Sequence, residues 1–256
     1  MIVFRSGFTG FMDLEQDAGV RHFAGHRMGC WINAIPANGL VMIPEASVGC
    51  VCQFSIASTI VLEPREARRP WSIHSAVGAN TPVKHLAINF GAPGDRKDSQ
   101  GTVWLSYPRY KAYQETSLDI KFDFKLKFSN GGAYHSINEA GVNLSGVDTP
   151  WLYSSWAERL TRLTLPLLGE GDPPGKFTVR LYFADARSGE HATSTFDVKL
   201  NGKVAATAIE LTGSADPLRA VVTEITDVEV TDNLTIEFVA KEGMPLLNAI
   251  EVLRNK

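Results

Sequence analysis

The side chains that commonly perform catalysis occur in this sequence, but their spacing matches no catalytic motif. A Gly-x-Ser-x-Gly elbow and a His-Glu-x-x-His sequence are both absent. Retaining and inverting glycosidases need two carboxyl groups at defined separations, and no local pattern of Asp and Glu predicts such a pair. The six histidines are scattered along the chain. The sequence therefore predicts a protein without a catalytic site of its own.

All three cysteines, Cys30, Cys50 and Cys52, lie in the first fifth of the chain. In a strand, Cys50 and Cys52 point to the same face, so they do not readily form a disulfide with each other. Two alternatives remain: a Cys30–Cys50 or Cys30–Cys52 bridge, or three buried thiols that act as small apolar residues. A zinc site needs a fourth ligand at close spacing, and His22 and His26 fit no zinc pattern. No metal site is predicted.

The composition argues against two classes of partner. The formal net charge is -3 and the pI is about 6.1, so no basic face predicts binding to nucleic acid. No apolar run approaches the ~20 residues that span a bilayer, which argues against a membrane partner. The chain of 256 residues, with 44% hydrophobic content, is long enough for one large β domain or two smaller ones.

Alternating apolar and polar residues predict β-strands throughout the second half of the chain. Residues 120–128 place five apolar side chains on one face and charged side chains on the other. The pattern recurs at 177–183, 196–200 and 234–238, and a last strand is expected at 248–253. One apolar face per strand requires a second sheet to cover it, so the sequence predicts an all-β, two-sheet sandwich.

Two connecting segments of the sandwich have signatures of their own. Asn201-Gly202 predicts a hairpin turn with positive φ at both central positions. Residues 149–158 are irregular and aromatic, and we expect them to form a surface loop.

The first 70 residues predict short strands separated by turns. Ile2–Arg5, Gly10–Leu14 and Ser58–Leu62 are strand candidates, and the continuous apolar run Leu40–Ile43 predicts a strand buried on both faces. Prolines and charges after residue 62 favour an extended, solvated segment, and we place a linker at 71–84. The predicted domains are therefore 1–70 and 85–256.

Three separated motifs after residue 84 resemble malectin and malectin-like domains. The motifs are Ala87-Ile-Asn-Phe-Gly91 with Asp95 and Gly101-Thr-Val-Trp104, then Phe177-Thr-Val-Arg-Leu-Tyr-Phe-Ala-Asp185, then Thr195-Phe-Asp-Val-Lys-Leu-Asn-Gly-Lys203. The ending, Leu234–Phe238 and Leu247–Val252, also fits. This resemblance implies a jelly-roll-like sandwich whose loops bind a short glucose oligosaccharide.

The same resemblance indicates a set of ligand-binding candidates. The candidates are Trp104, Tyr153, Trp156, Asn89, Asp95 and Asp98. Trp104 lies where the malectin motif has a ligand-facing aromatic residue, and Tyr153 and Trp156 lie in a stretch similar to its second aromatic segment. Rings stack on the C–H face of a pyranose, while amides and carboxylates bond to hydroxyl groups. The alternative is that the rings cover the sandwich ends and the carboxylates cap turns.

Two departures from malectin concern the ligand itself. Where malectin has an aromatic pair, this chain has Ala186-Arg-Ser-Gly189. Where malectin has an aspartate before its last strand, this chain has Lys241–Pro245, in which Glu242 is the one acidic residue. The module would therefore bind another glycan, or pack against a parent protein.

Residues 1–70 resemble the C-terminal end of a bacterial β-propeller of the PQQ-like (quinoprotein) type. The residues that carry this resemblance are Arg5-Ser-Gly7, Phe11–Leu14, Gly29–Asn33, Ile35–Leu40, Pro44-Glu45 and Gly49–Cys52. A propeller has at least about four blades, and 70 residues hold little more than one. The resemblance therefore implies the tail of a larger protein, which would also explain a start without signal-peptide features; a cytoplasmic protein is the other explanation.

Together, these patterns predict a non-catalytic carbohydrate-binding module at the end of a larger propeller protein. Its expected partner is an oligosaccharide or glycan, and the family resemblance implies a periplasmic or extracellular location. The alternative is a structural appendage of a quinoprotein-like dehydrogenase, which packs on the propeller and binds no glycan. One blade cannot enclose a quinone, so no cofactor is predicted for this chain.

Overall fold

A computed structural model describes residues 1–6, 8–15, 19–23, 26, 28–29, 34–45, 58–65, 71–74, 81–109, 124–144, 147–187, 193–213 and 218–255. The chain divides into two compact units, one mainly of residues 1–75 and one mainly of residues 76–256. In the described part, the only helical segments are two short 3-10 turns, Glu139–Gly141 and Pro150–Tyr153. The all-β prediction is therefore confirmed. No helix in these ranges has the length and hydropathy to cross a membrane.

The first unit contains two three-stranded antiparallel sheets, with strand orders β1-β2-β3 and β4-β5-β6. The strands are β1 (Ile2–Ser6), β2 (Phe8–Met12), β3 (Val20–Phe23), β4 (Ile35–Ala37), β5 (Leu40–Ile43) and β6 (Ile60–Leu62). The prediction that β5 is buried on both faces is wrong. Leu40 and Met42 are exposed whereas Ile43 is buried, because alternate residues of a strand face opposite sides of its sheet. Cys30, Cys50 and Cys52 lie outside the described residues, so their pairing stays a prediction.

The second unit contains two six-stranded sheets. We call the sheet with order β15-β12-β18-β7-β9-β8 the front sheet, and the sheet with order β10-β11-β16-β13-β14, in which β17 also pairs with β11, the back sheet. The strands are β7 (His85–Phe90), β8 (Arg96–Lys97), β9 (Val103–Tyr107), β10 (Lys125–Ser136), β11 (Ser155–Pro166), β12 (Gly175–Phe183), β13 (Thr193–Leu200), β14 (Lys203–Thr212), β15 (Val221–Val230), β16 (Asn233–Glu242), β17 (Leu246–Leu247) and β18 (Ala249–Arg254).

The core lies between these sheets and contains the apolar residues that the alternation predicts. Phe177 and Phe183 of β12 and Phe196 of β13 are fully buried, and the rings of Phe183 and Phe196 meet edge to face at 5.5 Å. Phe124, Leu126 and Phe128 pack against the same core, and residues 120–123 of that predicted strand lie outside the described part. Truncating one such side chain typically costs about 2–5 kcal/mol. The core is therefore the main source of stability of the sandwich.

Two connecting segments give opposite outcomes. The Asn201-Gly202 turn is confirmed, with φ of 48° and 79°. The prediction of a surface loop at 149–158 is wrong, because Pro150–Tyr153 forms a 3-10 turn with three buried residues and β11 begins at Ser155. The burial of these three large apolar side chains is more favourable in free energy than their exposure in a surface loop.

Two described residues of the segment predicted as a linker, Ser72 and Val83, are buried. In the first unit, Ser72 is buried and exchanges two backbone hydrogen bonds of 2.7 Å with Asp95. In the second unit, Val83 belongs to the sandwich core.

Candidate functional site

A buried carboxylate lies at the centre of the outer face of the front sheet. Glu251 of β18 is 6% exposed, in register with Arg180 of β12. Its Oε2 accepts hydrogen bonds from Arg180 Nη1 (3.0 Å) and Tyr182 OH (3.2 Å), and its Oε1 lies 2.8 Å from His85 Nε2. Arg180 also donates from Nε to Glu224 of β15 at 2.5 Å. Four neighbouring strands thus contribute to one polar cluster, because residues that alternate with the core positions point to this face.

The pKa shifts in this cluster favour charged Glu251 and Arg180. Burial alone would raise the pKa of Glu251, but the hydrogen bonds from His85 and Arg180 outweigh it and lower the pKa. Burial, and then the charge of Glu251, raise the pKa of Tyr182, so its hydroxyl stays protonated and donates. Hydrogen bonds to Glu224 and Glu251 raise the pKa of Arg180.

A cavity of about 340 Å³ lies beside this cluster, lined by His85 and the four residues Gln100–Val103. Asp98 fixes the loop on one side of the cavity, since its Oδ1 accepts hydrogen bonds from the backbone N–H groups of Gln100 (2.9 Å) and Thr102 (2.8 Å). Its Oδ2 accepts from Trp104 Nε1 at 2.9 Å. The side chains of Gln100 and Thr102 have no hydrogen bond to another described residue. The cavity therefore combines a rigid rim with polar groups available to a ligand.

The three rings that the resemblance predicts to be ligand-facing are buried in the structure. Trp104 is 3% exposed, Tyr153 1% and Trp156 4%. Trp104 packs edge to face on Tyr182 and Trp151, with centroids 5.2 and 6.5 Å away. The 3-10 turn at Pro150–Tyr153 contains both Trp151 and Tyr153. Both rings are buried, because removing their apolar surface from water is favourable. Contact between these rings and a ligand stays a prediction.

The three polar candidates have structural partners of their own. Asn89 is 1% exposed: its Nδ2 donates to the carbonyl groups of Leu152 (2.7 Å) and Asn248 (3.1 Å), and its Oδ1 accepts from Ser155 Oγ. Asp95 is fully buried in the first unit and accepts from the backbone N–H of His74 at 2.6 Å. Of the six candidates, Trp104 and Asp98 are hydrogen-bonded to each other. Asn89 donates to the carbonyl of Leu152, the residue before Tyr153.

A second charged cluster lies where the malectin resemblance leads one to expect an aromatic pair. Arg187 donates from Nε to Asp185 (2.8 Å) and from Nη1 to Glu158 (2.8 Å). His135 Nε2 lies 3.0 Å from Glu158, and the His135 ring stacks on Trp156 at 5.5 Å. The hydrogen bond to Asp185 raises the pKa of Arg187. This cluster connects β10, β11 and the segment after β12, and Arg187 bonds to two carboxylates in it.

Sequence reasoning missed the residues around the cavity. His85 and Glu251 are 166 positions apart, so no local spacing connects them. A signal was nonetheless present, because Arg180 and Tyr182 alternate with core positions and Glu251 interrupts an apolar strand. Among the residues that the structure describes, no group of three His, Cys, Asp or Glu side chains is placed to hold a metal ion.

Comparison with solved structures shows the fold over nearly the whole chain. The structure resembles a β-glucuronidase from Bacteroides uniformis, with a TM-score of 0.51 and 16% identity over 99% of this chain and 26% of that chain. Bacteroides uniformis β-glucuronidase 2 covalently bound to cyclophellitol-6-carboxylate aziridine gives 0.50 and 16% over the same shares. The ANX2 ectodomain from Arabidopsis thaliana gives 0.44 and 17% over 68% of this chain and 42% of that chain.

This chain spans about a quarter of the length of those β-glucuronidases, and at such identities the likeness concerns the fold alone. No curated protein matches the sequence. These similarities give no support to the propeller resemblance of residues 1–70, which stays a prediction. The family model of the malectin-like domain matches residues 157–254, from β11 to β18. That part of the chain is therefore similar to malectin-like domains, which confirms the resemblance there.

Proposed function

We propose that this chain is a non-catalytic module that binds an oligosaccharide on the outer face of the front sheet. The observation that carries the proposal is the cavity of about 340 Å³ between His85 and the Asp98-fixed loop. Its volume lies within the range of roughly 300–1,000 Å³ that small-molecule sites occupy.

The polar groups around the cavity suit a ligand with many hydroxyl groups. The Gln100 amide and the Thr102 hydroxyl each both donate and accept hydrogen bonds, as sugar hydroxyls do. Glu251 orients His85 through Nε2, which leaves Nδ1 on the opposite side of the ring. The ligand would then be held by polar contacts at the rim, and Trp104 would support the rim from below through Asp98.

The carboxylates near the cavity support a binding role over glycoside hydrolysis. A general acid needs a raised pKa, whereas the pKa of Glu251 is lowered and both of its oxygens accept hydrogen bonds. Both oxygens of Asp98 are also occupied. Neither group is placed to transfer a proton to a glycosidic oxygen.

One observation favours the alternative, a structural appendage of a propeller enzyme that binds no glycan. Trp104, Tyr153 and Trp156 are buried, which favours a structural role for these rings over contact with a pyranose. In that case the sandwich would pack on its parent protein, in a periplasmic or extracellular setting, and the cavity would hold only water.

A glycan array with the intact chain and two variants tests the proposal. The Gln100→Ala/Thr102→Val double variant removes two rim contacts, and Thr207→Val changes an exposed residue of β14 on the other sheet. Since each hydrogen bond contributes about 0.5–1.5 kcal/mol, the double variant should bind roughly 5- to 150-fold more weakly. The control should bind like the unmodified chain.

Two outcomes would contradict the proposal. If the folded chain binds no glycan, the appendage is the better explanation. If the double variant binds as tightly as the unmodified chain, a sugar site exists but lies elsewhere.

A further inference from the structure

The back sheet is split between β11 and β16. The ladder of β11 with β16 runs from Arg162 opposite Glu237 to Pro166 opposite Asn233, and the ladder of β11 with β17 occupies Ala157 and Glu158. Between these ladders, residues 159–161 have no paired strand residue on the side that faces β16 and β17, and a gap lies there. The Arg159 N–H crosses the gap to the carbonyl of Pro245 at 2.7 Å.

A cavity of about 280 Å³ occupies this gap, and its two walls differ in chemistry. Asn130, Arg159 and Thr161 line one wall, and Phe238, Met244 and Pro245 line the other. Met244 is 37% exposed, so the apolar wall is open to solvent at one end.

Arg159 has an unusual backbone and few side-chain partners. Its φ of 61° lies in the left-handed region, which non-glycine residues rarely adopt and which often marks functional sites. Its Nη1 donates to the carbonyl of Asn130 at 3.0 Å. No carboxylate in the described part of the chain pairs with it, whereas Arg162, Arg180 and Arg187 each contact at least one.

We propose that this cleft binds a small organic anion, a carboxylate carried on a flat apolar body. The carboxylate would accept two parallel hydrogen bonds from the Arg159 guanidinium, the arrangement for which this planar group is suited. The apolar body would lie against Phe238, Met244 and Pro245. This site is separate from the sugar site, since it lies on the back sheet and uses none of the same residues.

The two walls explain why the ligand must have both parts. An inorganic anion would leave the apolar wall wet, and a neutral apolar molecule would leave the guanidinium without an anionic partner. Benzoate has both parts, and benzyl alcohol is a neutral molecule of similar shape, so this pair isolates the role of charge.

NMR titration of the intact chain, observed at the Met244 ε-methyl group, tests the proposal. Benzoate should shift this signal in a saturable manner, and benzyl alcohol should bind at least about tenfold more weakly, because a hydrogen bond to a charged group is the stronger kind. Arg159→Asn removes the charge and keeps a residue that tolerates positive φ, and it should weaken benzoate binding at least about tenfold. Arg162→Gln, on the same strand, should leave the affinity unchanged.

The proposal is overturned if benzoate does not affect Met244, or if benzoate and benzyl alcohol bind equally. The comparison of the two ligands uses the unmodified protein, so it decides the question even if Arg159→Asn fails to fold. Equal weakening by Arg159→Asn and Arg162→Gln would also overturn it, because the effect would then be one of general surface charge.

Discussion

Side-chain amide groups are buried and hydrogen-bonded in the interior of the sandwich, but solvent-exposed at the rim of the cavity. Inside, Asn89 and Asn248 are almost fully buried, and hydrogen bonds to backbone groups and to the Ser155 hydroxyl occupy both their oxygen and nitrogen atoms. At the cavity rim, the side chains of Gln100 and Thr102 have no hydrogen bond to another described residue, and Gln100 is exposed. An amide group thus stabilises the fold in the first region and is available to a ligand in the second.

The difference follows from the cost of burying a polar group. Inside the sandwich, an unpaired N–H or C=O costs about 1–3 kcal/mol, so each buried amide needs hydrogen-bond partners. At the rim, water satisfies the same groups, and a ligand hydroxyl can replace that water at little cost. Variants of the interior residues should therefore affect folding, and variants of the rim should affect binding.

The largest effect is expected for Asn248→Ala. Asn248 Oδ1 accepts from the Ala184 N–H at 2.7 Å, and its Nδ2 donates to the Ser155 carbonyl at 2.9 Å. The variant leaves both backbone groups unpaired in the interior, which should lower the free energy of unfolding by about 3 kcal/mol in urea denaturation. Asn138→Ala, at an exposed position, should cost less than about 1 kcal/mol. Similar losses for the two variants would remove the distinction between interior and surface amides.

An intermediate effect is expected for Asp98→Ala, because Asp98 belongs to both regions. It accepts from two backbone N–H groups of the rim and from the buried Trp104 indole. Loss of these bonds should destabilise the protein by about 2 kcal/mol in urea denaturation and also weaken oligosaccharide binding. Asp98→Asn keeps an acceptor oxygen and should have the smaller effect on both. If Asp98→Ala changes binding but not stability, Asp98 contacts the ligand itself, as the sequence predicted.

The sequence predicts those parts of this fold that depend on local period. The alternation at 177–183 and 196–200 identifies core residues correctly, because a strand that covers one core must alternate. Local sequence is misleading at Leu40–Ile43. The continuous apolar run predicts burial on both faces, but Leu40 and Met42 are exposed. An apolar run indicates that burial is favourable, and only the tertiary structure shows whether a covering layer is present.

The site was harder to predict because its contacts join distant parts of the chain. The sequence identifies aromatic and acidic residues near 98–104 and 151–156 as side chains that can bind a ligand. Their burial depends on contacts such as Trp104 with Tyr182, which a single sequence does not reveal. Residues of the proposed site, such as His85 and Gln100, meet only after β7 and β9 pair in the front sheet.

A smaller effect, visible in its pH dependence, is expected at Glu251. Its pKa in the folded protein lies below the ordinary value of 4.5, so the ionised carboxyl stabilises the fold above about pH 4.5. This contribution is lost as the pH falls through the folded-state pKa. The free energy of unfolding should therefore fall more steeply below about pH 4.5 in the unmodified chain than in Glu251→Gln.

This pH effect should be modest, because His85 and Arg180 are 42% and 37% exposed and water screens their interaction with Glu251. Glu210→Gln, at an exposed position of β14, is the matched control and should follow the unmodified chain. Identical acid dependence of all three proteins would show that the Glu251 cluster contributes no more than a surface charge does.

The smallest effect on stability is expected for the rim variant Gln100→Ala/Thr102→Val. Neither side chain bonds to another described residue, so the free energy of unfolding should change by less than about 0.5 kcal/mol. The backbone N–H groups of both residues still donate to Asp98, so the rim should hold its shape while its ligand-facing groups are lost. Urea denaturation of this variant beside Asp98→Ala therefore separates the contacts that build the rim from those that bind a ligand. A loss of stability close to that of Asp98→Ala would place Gln100 and Thr102 among the interior, fold-stabilising residues, and the weaker glycan binding of the variant would then report on folding.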